Sequence, residues 1–137
     1  MKLGLAAVTR LLGEAALPSA ALNEAKLAHF LGRGAHEAPE GVVGLELYPP
    51  VALLRSLAVA SNVRGRGVGR ALLADAERYA RSHEVKDIYL LTTTAERFFA
   101  RAGYERIARE SAPREIQETH EFSTLCPTTS TVMRKRL

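Results

Sequence analysis

A glycine-rich loop between two apolar segments holds the residues of this sequence that are best suited to chemistry. The apolar run Val51–Ala60 precedes the loop, and a helical pattern follows it at once. The N-terminus of a helix presents unpaired N–H groups and the positive end of the helix dipole, and glycines let a phosphate approach the backbone. The spacing therefore predicts an anion site, although it fits neither the Rossmann nor the Walker motif. The loop consists of Arg64, Gly65, Arg66, Gly67, Val68, Gly69 and Arg70.

Two charged residues in otherwise apolar strands are the next candidates. Arg55 interrupts the run Val51–Ala60, and Glu46 lies in the apolar, β-rich segment Val42–Tyr48. A guanidinium in a central strand needs an anionic partner. That partner is either an anionic group of a substrate or an internal acid such as Glu46. We expect Leu57 to share the face of Arg55, at the floor of a pocket.

The elements that must position these residues follow from hydrophobic periodicity and from turn signals. We expect a single α/β domain over residues 1–137, with helices packed on a mixed sheet. A polar loop over 32–41 should separate two hairpin strands. The predicted helices are 4–16, 19–26, Gly67–Ser82, Ala95–Ala102 and Pro113–His120, and the predicted strands are Leu27–Leu31, Val42–Tyr48, Val51–Ala60, Asp87–Thr92, Tyr104–Ala108 and Thr131–Lys135.

Composition narrows the classes of protein and of partner. The 137 residues include 47% hydrophobic and 25% charged residues, which is ordinary for a globular protein. No apolar run approaches the ~20 residues that cross a bilayer, so we expect a cytoplasmic protein without a membrane partner. The single Cys126 is too few for a disulfide or a thiolate metal site, so no metal is expected. The net charge is +4, but the basic residues form two separate groups, one in the loop and one at the C-terminus, which argues against a nucleic-acid partner.

Two signatures together resemble the GCN5-related N-acetyltransferases, the GNAT family. Residues 64–69 match R/Q-x-x-G-x-G/A between a strand and a helix, and residues 93–104 (TTAERFFARAGY) resemble a second motif, A-x-x-F-Y-x-K-x-G-F. The segments LLRSLAV, YLLTTTAERFFARAGY and EFSTLCPTTSTVMRKRL look closest to a subgroup associated with bacterial arsenic-resistance genes. That association does not establish which molecule is acetylated.

The resemblance implies a mostly antiparallel sheet with a splayed central pair of strands, helices on both faces, and acetyl-CoA as cosubstrate. The backbones of Leu57 and Val59 would pair with the pantetheine arm, and the loop amides would hold the pyrophosphate. Thr93 and Phe99 would also contact CoA, although polar residues such as Thr93 are common at strand ends. The expected reaction is direct attack of a small-molecule amine on the thioester, with no covalent enzyme intermediate. The acceptor is expected to carry an anionic group held by Arg55, and an arsenical amino acid is one candidate.

Three departures from the family pattern bear on mechanism and assembly. Phe99 stands where many relatives carry a tyrosine acid, and a phenyl ring cannot protonate a thiolate. The missing acid leaves a CoA-binding module without catalysis as the alternative function. Histone-type members of the family carry a glutamate base in the central strand, but Val51–Ala60 contains no acid, so the base is elsewhere, is water or is unnecessary for an amine of low pKa. Glu46, on the neighbouring strand, is the candidate base, unless it is only an exposed carboxylate beside the Pro-Pro turn. Met1–Val8 is too short and too rich in alanine to supply both the usual first strand and the first helix, so either the true start lies upstream or the sheet lacks that edge strand. An uncovered sheet edge would favour a homodimer.

Overall fold

The computed structural model describes residues 8, 10, 12, 29–34, 39–60, 63, 65–119, 122 and 130–137. Val8, Arg10 and Leu12 are helical, in agreement with the predicted helix over 4–16, whose other residues lie outside the described set, as does the predicted helix over 19–26. None of the described helices has the length and apolarity needed to cross a bilayer. The strands are β1 (Phe30–Gly34), β2 (Pro39–Tyr48), β3 (Val51–Val59), β4 (Asp87–Thr92), β5 (Glu105–Ile107) and β6 (Thr131–Arg136), and the helices are α1 (Val68–Ser82), α2 (Glu96–Arg101) and α3 (Arg114–Gln117), with a 3-10 turn at Arg109–Ser111.

The elements from β3 to β6 lie within three residues of their predicted bounds, because most have an apolar period and several adjoin a glycine or proline, as at Pro50, Gly67, Gly103 and Pro113. The first hairpin differs from its prediction. Residues 32–41 were expected to form a loop, yet β1 continues to Gly34 and β2 begins at Pro39. Pairing of Gly32 with Val42 and of Arg33 with Gly41 extends both strands. Cross-strand pairing therefore overrides the low strand preference of glycine and proline here.

The six strands form one mixed sheet in the order β1-β2-β3-β4-β6-β5. Every neighbouring pair is antiparallel except β3 and β4, which run parallel. Those two strands pair at only three positions, from Val51 opposite Asp87 to Leu53 opposite Tyr89. Beyond Leu53, β3 continues for six residues without a ladder to β4. This confirms the expected splayed central pair, which leaves a gap in the middle of the sheet.

Helices cover both faces of the sheet, and each face has its own core. Alternate residues of β3 divide between these two cores, as the pleat requires. The face under α1 and α2 is packed by Ala52, Leu54, Leu72, Leu90 and Phe99, among others. The opposite face, under α3, is packed by Val51, Leu53, Tyr89, Ile116, Phe122 and Val132, among others.

A buried ionic network fixes α1 to β6. The Glu77 carboxylate in α1 accepts hydrogen bonds from Lys135 Nζ, at 3.0 and 3.1 Å, and from Tyr104 Oη, at 3.0 Å. Lys135 Nζ also donates to the carbonyl of Ala102 at 2.9 Å. Burial, followed by the charge of Glu77, raises the pKa of Tyr104 far above its usual value, so Tyr104 remains a donor. The network is one structural use of the basic C-terminal residues.

Replacing Glu77 with alanine should therefore destabilise the fold without touching the glycine loop. The change leaves a half-buried ammonium and a buried hydroxyl without their acceptor, a loss of about 3 kcal/mol for a broken buried pair. Thermal unfolding should show a Tm lower by roughly 10 °C. Glu118→Ala, at a carboxylate with 69% exposure, is the matched control and should change stability by less than about 0.5 kcal/mol. Equal stability of the two variants would contradict this account.

Candidate functional site

The loop before α1 forms an open cradle of backbone. Gly65 and Gly67 have φ of 84° and 79°, a left-handed conformation that favours glycine. A Cβ atom built at either position would meet nothing within 4 Å, so the space beside the loop is empty of protein in the described residues. Gly67 caps α1 without any side-chain hydrogen bond, and the first turn contains no acidic residue. The first turn of a 15-residue helix therefore offers its N–H groups and its positive dipole end toward that space.

A cavity of about 470 Å³ lies against this cradle. Arg70, like Arg66, is exposed, which places positive charge where an anion would bind. Arg64 lies outside the described residues, so its part in the loop stays a prediction. The cavity is lined by Val59, Val63, Gly65, Gly67, Val68, Gly69, Arg70 and Phe98. Five of the predicted loop residues and the strand residue Val59 thus share one cavity.

The two phenylalanines of α2 point in different directions. Phe98 lines the cavity beside the loop, where its ring lies 3.5 Å from a Cβ built on Gly69. Phe99 is 6% exposed and packs in the core with its ring centroid 5.7 Å from that of Tyr104. Consecutive helical residues differ in direction by about 100°, so only one of them faces the cavity. Phe98 therefore lines the cavity, whereas Phe99, the residue expected from the sequence to contact CoA, lies in the core.

Phe98→Ala should weaken CoA binding roughly tenfold, because it removes most of an apolar wall worth about 1–2 kcal/mol. The Tm should change little, since Phe98 is only partly buried. Phe99→Ala is the matched comparison, and it should lose about 3–5 kcal/mol of stability through a core cavity. Calorimetric CoA titration and thermal unfolding of both variants separate the two roles. Loss of CoA affinity in neither variant would contradict the placement of Phe98.

A second cavity, of about 650 Å³, continues along the start of α2. Its lining includes Thr93, Thr94 and Phe98, so it shares the Phe98 wall with the first cavity. Thr92 Oγ1 accepts the N–H of Ala95 at 2.9 Å and so fixes the turn from β4 into α2. Thr93 itself is exposed. The structure therefore places Thr93 where the sequence expected it, at the end of β4 beside this groove.

A bulge in β3 separates the faces of Arg55 and Leu57. Between the pairs Gly44–Arg55 and Val42–Ala58, β3 has one residue more than β2, and Ser56 takes φ of 60°. Leu57 consequently packs with the core under α1. Glu46 opposes Leu53, and Gly44 opposes Arg55, on the face under α3. The expectation that Leu57 shares the face of Arg55 is wrong, because the extra residue shifts the alternation.

Arg55 forms an internal ion pair on this second face. Arg55 Nη1 donates to Glu46 Oε2 at 2.9 Å, and Arg55 Nε donates to Ser56 Oγ at 3.1 Å. Tyr48 Oη donates to the other Glu46 oxygen at 2.8 Å. The Arg55 side chain is 1% exposed and that of Glu46 14%. Of the two partners left open by the sequence, an internal acid is therefore present in the structure, and each oxygen of Glu46 accepts a hydrogen bond.

The hydroxyl of Tyr48 is held in its protonated form. Burial, the hydrogen bond to Glu46 and the charge of Glu46 together raise the pKa of Tyr48 from 10.0 to about 12. Tyr48 is thus a permanent donor near neutral pH, and it positions Glu46 from the side opposite Arg55. We name the α3-covered face that carries Tyr48, Glu46 and Arg55 the acceptor face.

Comparisons with known proteins agree with this geometry. The Acetyltransferase (GNAT) family pattern matches residues 13–108, and the chain belongs to that family. An uncharacterized N-acetyltransferase of Chlorobaculum tepidum is 38% identical over 66 residues, which are 48% of this chain and 42% of that protein. The chain thus spans about two fifths of the curated relative that it matches.

Solved structures share the fold at low sequence identity. N-acetylglutamate synthase of Neisseria gonorrhoeae, complexed with coenzyme A and N-acetyl-glutamate, superposes with a TM-score of 0.80 at 21% identity over 97% of this chain and 32% of that chain. Rv2747 of Mycobacterium tuberculosis, in complex with CoA and NLQ, gives 0.79 at 20% identity over 100% and 98% of the two chains. Tetrahymena GCN5 gives 0.72 at 17% over 96% and 85%.

Two further expectations concern metal and charge. Among the described residues, no group of three or more His, Cys, Asp or Glu side chains could hold a metal ion, and Cys126 lies outside them. Arg134 pairs with Asp87 at 3.1 Å, and Arg136 lies 3.9 Å from the same carboxylate. With Lys135 on Glu77, the basic C-terminal run is bonded to acids within the fold.

Proposed function

We propose that this protein is a cytoplasmic enzyme that transfers an acetyl group from acetyl-CoA to the amine of a small molecule. The observation that carries the proposal is the open glycine cradle at the N-terminus of α1, placed beside the gap between β3 and β4. A Cβ atom at Gly65 or Gly67 would project into that empty space, which suits the approach of a pyrophosphate to the backbone. Acetyl-CoA, when bound, supplies the thioester that is the acetyl donor.

Most of the predicted CoA contacts would fit this arrangement, whereas Phe99 lies in the core and Arg64 lies outside the described residues. The loop from Gly65 to Arg70 would hold the pyrophosphate, and the backbone of Leu57 and Val59, beyond the last pair of β3 with β4, would lie along the pantetheine arm. Thr93 and Phe98 would form the opposite wall of the groove. A backbone N–H near the bulge would polarise the thioester carbonyl as a preorganised donor.

The proposed chemistry is a direct displacement. The neutral amine nitrogen bonds to the acetyl carbon, the carbon–sulfur bond breaks, and the amine loses one proton while the thiolate gains one. Glu46 is the candidate base, and it would accept the proton while it is paired with Arg55. The alternative base is a water molecule. Helix α2 offers the cavity no hydroxyl, because Phe98 lines it and Phe99 packs in the core, so solvent would protonate the departing thiolate.

The proposed acceptor is an amino acid or similar amine with an anionic group, and an arsenical amino acid belongs to this class. Arg55 supports this choice because it is a buried cation on the acceptor face, where a carboxylate would form a bidentate pair. For an anionic acceptor to bind there, its anionic group must share the Arg55 guanidinium with Glu46 or replace Glu46 as its partner. The neisserial synthase, which shares this fold over 32% of its chain, is complexed with N-acetyl-glutamate, the acetylated form of an anionic amino acid.

Assembly into a homodimer is also a proposal. Within the described residues, β1 pairs with β2 only and is an edge of the sheet. An edge strand presents N–H and C=O groups that a second copy could pair with. Light scattering after size-exclusion chromatography would give the mass in solution directly, and a monomer would contradict the proposal.

The deciding experiment measures CoA release from acetyl-CoA with a panel of amines, with calorimetric CoA binding as the control. The panel includes acidic and amide amino acids, apolar amino acids, polyamines and arsenical amino acids. Release that depends on one acceptor class supports the enzyme and defines its substrate. Tight CoA binding with no release from any acceptor would favour a CoA-binding module, which the absence of a hydroxyl at Phe99 makes the second candidate. Absence of CoA binding would overturn both.

A further inference from the structure

Ser130 has a buried hydroxyl without a hydrogen-bond partner among the described residues. The residue is 9% exposed, and its Oγ atom is inaccessible to solvent. A buried hydroxyl without a partner is costly to fold, and most buried polar side chains are satisfied. Thr119, which follows α3, offers a contrast, since its Oγ1 both donates to the carbonyl of Ile116 and accepts the N–H of Phe122. Ser130 therefore calls for an explanation outside the folding of this segment.

The strand that follows Ser130 indicates on which face of the sheet its hydroxyl lies. Thr131 Oγ1 donates to Glu96 of α2 at 3.2 Å, so the Thr131 side chain points to the face under α1 and α2. Val132 packs with Leu53 and Tyr89 on the opposite face. Ser130 precedes β6 by one residue, and continuing the alternation of β6 to it assigns its side chain to the face of Val132. That face is the acceptor face.

Ser130 also lies at the end of the sheet where β3 and β4 separate. Thr131 pairs with Thr92, the last residue of β4, so Ser130 stands just beyond that end of β4. Arg55 lies two strands away on β3, past the point where β3 and β4 separate. Two strand spacings of about 4.8 Å and an offset of about two residues along the strands put the two backbones roughly 12 Å apart, and the splay widens this distance. The gap in which acetyl transfer is proposed lies between them.

We propose that Ser130 is an acceptor-binding residue that recognises a second polar group of the acceptor, at the end remote from Arg55. This inference rests on the proposed function and deepens it. A serine hydroxyl both donates and accepts, so it suits an amide, a carboxylate, a hydroxyl or an oxyanion of an amino-acid side chain. An acceptor that lacks this group leaves the hydroxyl unpaired, which is how buried polar groups reject apolar analogues. The acceptor is thus an amino acid with a polar side chain.

The test compares Ser130→Ala with Ser82→Ala, the same change at an exposed position at the far end of α1, about 20 Å along the helix from the loop. The probes are L-glutamine and L-glutamate, with L-norvaline as the analogue without a distal polar group. We expect kcat/KM for the polar acceptors to fall at least about tenfold in Ser130→Ala, with the KM for acetyl-CoA unchanged. Turnover of L-norvaline should change less than about twofold, so the preference for polar acceptors disappears. Ser82→Ala should behave as the parent protein.

A stability measurement separates this role from a structural one. Removal of a hydroxyl without partners should leave the Tm equal or higher, whereas removal of a structural hydrogen bond should lower it. A lower Tm with unchanged acceptor kinetics would overturn the inference, and so would equal losses for L-glutamine and L-norvaline. Parent protein that prefers apolar amines would overturn this inference alone. Parent protein that releases CoA with no acceptor of the panel would overturn the proposed function and this inference with it.

Discussion

Gly67→Val is expected to raise the Kd for CoA at least about 100-fold, equivalent to about 2.8 kcal/mol. Gly67 has φ of 79° and its missing Cβ would stand in the open space beside the loop. A branched side chain there would occupy the path by which a pyrophosphate reaches the N–H groups of α1. It would also draw the backbone away from the left-handed conformation. Isothermal titration of CoA into the purified variant measures the effect.

Gly103→Val is the matched control for backbone strain. Gly103 also has a left-handed φ, of 100°, but it follows α2 on the side of Lys135, where an added Cβ would make ordinary contacts at 3.4 to 3.7 Å. Both variants should lose stability to a comparable extent, and only Gly67→Val should lose CoA affinity. If Gly67→Val retains its affinity for CoA, the assignment of this loop as the phosphate-binding site is wrong.

Arg55→Ala is expected to lower kcat/KM for an anionic acceptor at least about 100-fold while the Kd for CoA changes less than about threefold. The guanidinium is buried on the acceptor face, whereas the CoA loop lies at the start of α1. The variant should also lose about 3–5 kcal/mol of stability, because Glu46 keeps a buried charge without its partner. Initial rates over acceptor concentration, CoA titration and thermal unfolding measure the three quantities.

A double variant, Arg55→Gln with Glu46→Gln, separates anchoring of the acceptor from stability. Two neutral amides can hydrogen-bond to each other and leave no unpaired charge, so much of the lost stability should return. If Arg55 anchors the acceptor, the loss of acceptor use persists in this stable variant. Equal losses of CoA and acceptor binding in Arg55→Ala would instead assign Arg55 a purely structural role.

Local pattern was enough to predict much of the scaffold. The loop at 65–70, the helix after it and the strands from β3 onward depend on residues that are close in the sequence, such as glycines with positive φ and apolar residues at a regular period. The predicted strand ends of the first hairpin were wrong, because pairing between Arg33 and Gly41 extends both strands beyond the residues at which local preference would end them. Pairing energy from a neighbouring strand is absent from any local pattern.

The sequence by itself determined the family, the splayed sheet and the position of the glycine cradle, since these depend on motifs with fixed spacing. Only the tertiary structure decided how side chains from separate elements meet. The bulge at Ser56 placed Leu57 and Arg55 on different faces, and the direction of α2 put Phe98 rather than Phe99 against the cavity. The Arg55–Glu46 pair and the unpartnered Ser130 hydroxyl likewise depend on strand register. Register and helix rotation are set by packing across the whole sheet, which short-range periodicity does not encode.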